Sequence, residues 1–288
     1  IQIKDKEEDF YFALDSAPEI AQLDPDLALL AKIKFKQSNA MLYAQLADKD
    51  NMVGRLTAIE QLAEKKDHES IQKLKQTLEN DPFYGVRIEA AKALQTIHED
   101  ESLDALLASK QSNARVRNQV AISIGGFFST NSLARAVAQI AEEKNPDIRA
   151  QWIRALGNYS NPIETQKILV PLLNSESYRN VLADAAISAM RTQDDPFYIQ
   201  PMIETLKVRE TNFTSRGFAA DLDALASVSR NEKNRDSVRE FLLGYVNHKK
   251  KTIQLGAITA LGTLKDPKAV AVLQTFANEA KESDERKA

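Results

Sequence analysis

Ile253-Gln254-Leu255-Gly256-Ala257-Ile258-Thr259-Ala260-Leu261-Gly262-Thr263-Leu264-Lys265-Asp266-Pro267 is the stretch on which the reading of the chain turns. Ala257, Ile258 and Leu261 follow Ile253 at offsets of four, five and eight, which share one face of a 3.6-residue helix. Asp266-Pro267 then stops the helix. The same offsets follow Gly54-Arg55 (Ala58, Ile59, Leu62), Val86-Arg87 (Ala90, Ala91, Leu94) and Val116-Arg117 (Val120, Ala121, Ile124). They recur after Ile148-Arg149 (Trp152, Ile153, Leu156) and Val181-Leu182 (Ala185, Ala186, Ala189). A weaker copy fills the gap at Ser215-Arg216, with Ala219, Ala220 and Leu222.

The first four steps between copies are 32, 30, 32 and 33 residues and the 72-residue gap after Leu182 fits two more, a period at which no unit buries its apolar face alone and neighbours supply the core. Each period holds two helices and two turns, so the chain resembles HEAT-type α-solenoids. The fold class expected is all-α: a right-handed α-α superhelix of about seven to eight helix pairs over residues 37–280. A short β segment over 1–36 precedes it and a disordered tail over 281–288 follows. First helices of the pairs are expected near 69–80, 101–109, 131–143, 162–174, 196–207, 235–248 and 267–280. Gly125-Gly126 closes an apolar helix as a C-cap pair.

Over 288 residues, 43% hydrophobic and 27% charged with a net charge of −3, the chain has globular composition and no global attraction to nucleic acid or anionic membrane. It has no cysteine, which excludes disulfides and thiolate chemistry and leaves cytoplasmic and periplasmic settings both open. No apolar run reaches the roughly 18 residues that a membrane span needs. The beginning at Ile1 reads as a cut end. Ile1-Gln2-Ile3 and Phe10-Tyr11-Phe12-Ala13-Leu14, separated by the charged turn Asp5 to Asp9, read as a β-hairpin, and Ala31 to Phe35 alternates as a half-buried strand would. This is the expected remnant of a β-sandwich domain.

The chemistry-bearing residues are few. His68, His98 and His248 are the only histidines, and no two stand at a metal-binding spacing. No phosphate loop, nucleophile elbow or dinucleotide fingerprint occurs, so no catalytic and no metal residue is assigned. Arg55, Arg87, Arg117 and Arg149 recur once per period. They form either an anion-binding ladder or structural ties between layers, and recurrence with the core favours the ties. Tyr84, Tyr178 and Tyr198 stand near turns, where they contact a partner on the concave face or plug helix ends. Lys249-Lys250-Lys251 reads as a solvated turn.

The joint supplies a second resemblance. Phe12-Ala13-Leu14, Ala17-Pro18, Leu23-Asp24-Pro25, the strand into Phe35, Leu42-Tyr43-Ala44-Gln45-Leu46 and Gly54-Arg55-Leu56-Thr57-Ala58 together resemble a zinc aminopeptidase of the aminopeptidase N type. The match covers residues 10–62. It implies a non-catalytic C-terminal helical domain of a metallopeptidase hydrolase, which caps the cleft of its own upstream catalytic domain and limits peptide access. Zinc then belongs to that upstream domain, and this fragment holds no cofactor. The alternative is a free-standing HEAT-repeat scaffold for protein–protein interaction, and a third class is a phycobilisome-type chromophore lyase. None of the three involves nucleic acid or a membrane.

Overall fold

The computed structural model describes residues 6–26, 28–31, 33–159 and 162–279. Fifteen α-helices succeed one another among them. They are α1 Asn39–Ala47, α2 Met52–Leu62, α3 His68–Asn80, α4 Tyr84–Ile97, α5 Asp100–Ala108, α6 Ala114–Gly125, α7 Thr130–Glu142 and α8 Pro146–Ala155. Then come α9 Pro162–Leu172, α10 Val181–Gln193, α11 Ile199–Arg209, α12 Ser215–Ser229, α13 Asp236–Leu243, α14 Lys251–Leu264 and α15 Val270–Glu279. The even-numbered helices α2, α4, α6, α8, α10 and α14 carry the repeated offsets; the weak copy at Ser215-Arg216 is the full helix α12, but its register differs, with Ala220 exposed and Phe218, Asp221 and Leu222 buried. Every residue at those offsets in α4, α6, α8 and α14 is buried. Polar caps mark the starts: Asn51, Asp67, Asn113 and Asn145 each accept a backbone N–H through the side chain.

Contacts divide the chain into two compact units, 1–105 and 106–288. In the first, α1 packs on α2 and α3 on α4, while α2 meets α4 and α1 meets α3. Leu42, Ile59, Leu62, Ile71, Leu74, Leu78, Val86 and Leu94 fill that core. In the second unit α6, α8, α10, α12 and α14 form a continuous row, each packed on the next, and the odd-numbered helices α7, α9, α11 and α13 pack on their own partners. Close approach along the row depends on small residues. A Cβ on Gly256 of α14 would stand 2.5 Å from Ala219 Cβ of α12.

Three expectations change. No strand occurs among the described residues of the first 36, where a β segment was expected. Tyr11 is 91% exposed and Phe12, Leu14 and Leu29 are exposed with it, so this stretch has no sheet to join; an isolated hairpin is marginal in water. Ile1-Gln2-Ile3 and the tail 281–288 lie outside the described residues. The approach to α1 is held by amides instead. Gln37 Nε2 donates to Ala21 O at 2.7 Å and to Gln45 Oε1 at 2.9 Å, and Asn51 Nδ2 donates to Gln22 Oε1 at 2.9 Å.

Gly125-Gly126 does end α6, but Gly126 stays right-handed at φ −79. What Gly125 supplies is space, since a Cβ there would stand 3.0 Å from Ala155 Cβ of α8. Left-handed C-caps fall on His98, Asp194 and Lys265, after α4, α10 and α14. Finally, α13 stops at Leu243, short of 248. Tyr245 turns inward there against Phe218 and Phe241, and His248 Nε2 lies 3.1 Å from Glu210 Oε1.

Candidate functional site

The four recurring arginines come to two different ends. Arg55, on α2, is 2% exposed. Its Nε lies 2.8 Å from Asp81 Oδ2 at the end of α3, and its Nη1 donates to the carbonyls of Asp48 and Lys49 at 2.8 and 2.7 Å. The Nε–H does not point along that line, so charge rather than a well-aligned hydrogen bond holds the contact. Arg117, on α6, repeats the plan. Nε and Nη2 face Glu143 at 3.0 and 3.4 Å at the end of α7, and Nη1 donates to Ser112 O at 2.7 Å. Together with the backbone N–H of Asn145, the Arg117 guanidinium outweighs burial and holds the Glu143 carboxyl below its usual range.

Arg87 and Arg149 have no such partner among the described residues, and their Nε atoms are enclosed without a hydrogen bond. Counting along the sequence as far as Asp81 is from Arg55, one reaches Asn113 from Arg87 and Ser175 from Arg149. The acid is simply not encoded. Arg209 takes over at the end of α9, donating to Leu173 O at 2.6 Å and Ser175 O at 3.1 Å.

The tyrosines separate as well. Tyr198 is 0% exposed and its hydroxyl donates to Gln193 Oε1, so it plugs a helix end and is unavailable to a partner on any face. Burial raises its hydroxyl above the usual range. Tyr178 is 76% exposed, with the Arg179 guanidinium 5.0 Å from its ring centre. Tyr84 is half-buried against Phe83, ring centres 4.9 Å apart.

Along the row of even helices, side chains bridge neighbours. Arg154 of α8 meets Asp184 of α10 at 3.2 Å, and Arg191 of α10 meets Asp223 of α12 at 2.7 Å. Thr263 Oγ1 of α14 donates to the same Asp223 at 2.6 Å. Asp221 of α12 is buried beside these bridges, and its Oδ2 has no hydrogen-bond partner. Desolvation drives its carboxyl well above the usual range; Asp184 adds to the rise and Arg154 offsets part of it. The sequence carried that signal unread, because Asp221 stands inside the apolar stripe Phe218, Leu222 and Leu225.

A groove of about 830 Å³ lies between α2 and α4 in the first unit. Val53, Leu56, Ile59, Ala63 and Phe83 line it, with Glu60, Glu64, Glu89 and Lys92 on its rim. Lys92 is tied to Glu89 at 2.7 Å, and Glu60 and Glu64 have no ion-pair partner among the described residues. Val53 and Leu56 lie beside the core offsets rather than on them, so spacing alone does not mark them as groove residues. Among the described residues no group of three or more His, Cys, Asp or Glu is placed to hold a metal, and no helix is long and apolar enough to cross a membrane.

Comparison with known proteins agrees with the repeat. The family model for HEAT repeats matches residues 39–125, the stretch that runs from the start of α1 to the end of α6. No curated protein matches. Among solved structures, human deoxyhypusine hydroxylase in complex with glycerol is similar at 15% identity, over 86% of this chain and 92% of that one, with a TM-score of 0.40. So loose a superposition bears on neither activity nor ligands.

Proposed function

We propose that this chain is a helical-repeat scaffold that holds a partner protein, and that the α2–α4 groove takes an apolar segment of that partner flanked by basic residues. The observation that carries the reading is the groove itself. Its floor is aliphatic and aromatic, formed by Val53, Leu56, Ile59, Ala63 and Phe83, and its volume falls within the range of ligand sites. The partner's basic flanks follow from Glu60 and Glu64, exposed and uncompensated at the rim. An amphipathic helix laid in a groove between two helices is a recurrent mode of peptide recognition. The HEAT-repeat match over 39–125 supports a scaffold of this kind. The other reading, a cap on an upstream zinc aminopeptidase, receives nothing from the comparisons, and the zinc and the intramolecular partner it implies rest on the resemblance at the joint alone.

The test uses a designed amphipathic peptide with leucines on one face and lysines at both ends, labelled for fluorescence anisotropy and titrated with the full chain. A glutamate-flanked copy is the control. Saturable binding of the lysine peptide, weakened about tenfold or more by Leu56→Glu and by the exposed double change Glu60→Lys with Glu64→Lys, is the expected outcome. Equal binding of the two peptides, or no binding up to about 1 mM, refutes the groove as the partner site.

A further inference from the structure

We infer that the second unit holds a binding site for a small oxyanion, a phosphate or carboxylate group, in an open cavity lined by α6, α7, α8 and the loop 109–112. The cavity is about 440 Å³ and is lined by Lys110, Arg117, Arg135, Ser112, Glu143 and Trp152, among others. That volume lies at the small end of ligand sites and suits a phosphate monoester or a short acid.

Charge on the walls decides the class of ligand. Lys110, Arg117 and Arg135 face one carboxylate, Glu143. Glu143 is already taken by Arg117, whose Nη1 is committed in turn to Ser112 O, so these two cancel. Arg135 and Lys110 are left without a counter-charge among the described residues. Arg135 is half-buried on α7, and its Nε is enclosed without a hydrogen-bond partner among the described residues. A guanidinium donor shut away in this manner costs free energy until an acceptor arrives. A phosphate or carboxylate satisfies it in the planar two-point fashion that arginine favours, with Lys110 supplying a second charge from the exposed edge. Arg117 cannot compete for that anion, because Glu143 and Ser112 O fix its orientation. The ladder arginine is therefore a wall of the site, and Arg135, outside the ladder, is its centre.

Trp152, the chain's single tryptophan, lies in the wall of the cavity and reports on its contents. The full chain is titrated with inorganic phosphate, phosphoserine and succinate, with sodium chloride as the control for ionic strength, and followed by tryptophan fluorescence and by calorimetry. The expected result is saturation by at least one oxyanion at about 1 mM or below, with chloride giving no saturable change. Arg135→Met weakens it about tenfold, the loss of one charge-assisted contact. Lys66→Met removes the same charge from an exposed position in the first unit and leaves the titration unchanged. Circular dichroism checks that each variant folds; should Arg135→Met not fold, the exposed Lys110→Gln reads the site in its place, with a weakening of several-fold. Saturation by phosphate species alone identifies a phosphate site, and saturation by succinate as well a general oxyanion site. Silence in both fluorescence and calorimetry to about 50 mM, or equal weakening by Lys66→Met, overturns the inference.

Discussion

Removing Arg55 should destabilise the first unit more than any other single change to the arginine series. In Arg55→Met the methionine retains much of the aliphatic packing, so the effect isolates the charge. Asp81, itself 8% exposed, would keep the Phe83 N–H at 2.9 Å but lose its only cation, and the carbonyls of Asp48 and Lys49 would lose their donor. Breaking a buried pair from one side costs about 3 to 5 kcal/mol, because the abandoned charge stays buried. Asp81→Asn is gentler: the amide oxygen still accepts from Phe83, and Arg55 keeps both carbonyls, so about 1 to 3 kcal/mol is expected. The double variant leaves neither charge stranded and should fall short of the summed singles by more than about 1 kcal/mol. Arg117→Met provides the scale. That side chain is 31% exposed, solvent screens its pair with Glu143, and the loss should be about 1 kcal/mol. Urea unfolding followed by far-ultraviolet circular dichroism measures all four. A cost below about 1 kcal/mol for Arg55→Met, or singles that add within about 0.5 kcal/mol, would refute the argument that desolvation makes this pair count.

Two further outcomes are expected. Gly256→Ala and Gly262→Ala lie on one helix and should have opposite signs in thermal unfolding. The first drives a methyl into Ala219 of α12, whereas the second meets nothing within 4 Å and gains about 0.5 to 1 kcal/mol of helix propensity. Asp221→Asn should flatten the pH dependence of stability. The folded carboxyl binds its proton more tightly than the unfolded one, so the parent's stability is full below the ordinary range near 3.8 and declines as pH rises from there. The advantage of the asparagine variant therefore grows with pH, and melting temperatures that run parallel from about pH 4 to pH 8 would contradict it.

The helices were legible because their signal is local and repeated. Ala90, Ala91 and Leu94 announce a buried face by spacing alone, and even the weak copy at Ser215 is a helix. The first 36 residues misled for the complementary reason: alternation in Ala31 to Phe35 describes what a strand would look like but does not supply its neighbour. Arg55 and Arg87 look identical from spacing, yet only one has an acid waiting in the next pair, a fact that lies far along the chain. Tyr198 stands near a turn, but its burial is decided by Gln193 and Thr165 on the preceding helices, which spacing does not reveal. The cavity around Arg135 draws on three helices and no motif. Its one legible trace is an arginine placed between Leu133 and Ala136 in an amphipathic stripe.

The alternation of paired and unpaired arginines bears on how such an array can change over generations. A repeat built from interchangeable alanines and leucines could be duplicated, deleted or shuffled at any seam, because every unit would fit every other. Arg55 with Asp81 and Arg117 with Glu143 mark two seams as particular: each arginine expects an acid at the end of the next pair's first helix and nowhere else. Removing the pair α3–α4 would take Asp81 away and strand Arg55 in the core. Recombination should accordingly be tolerated least at Arg55, where the order of the units is written in charge.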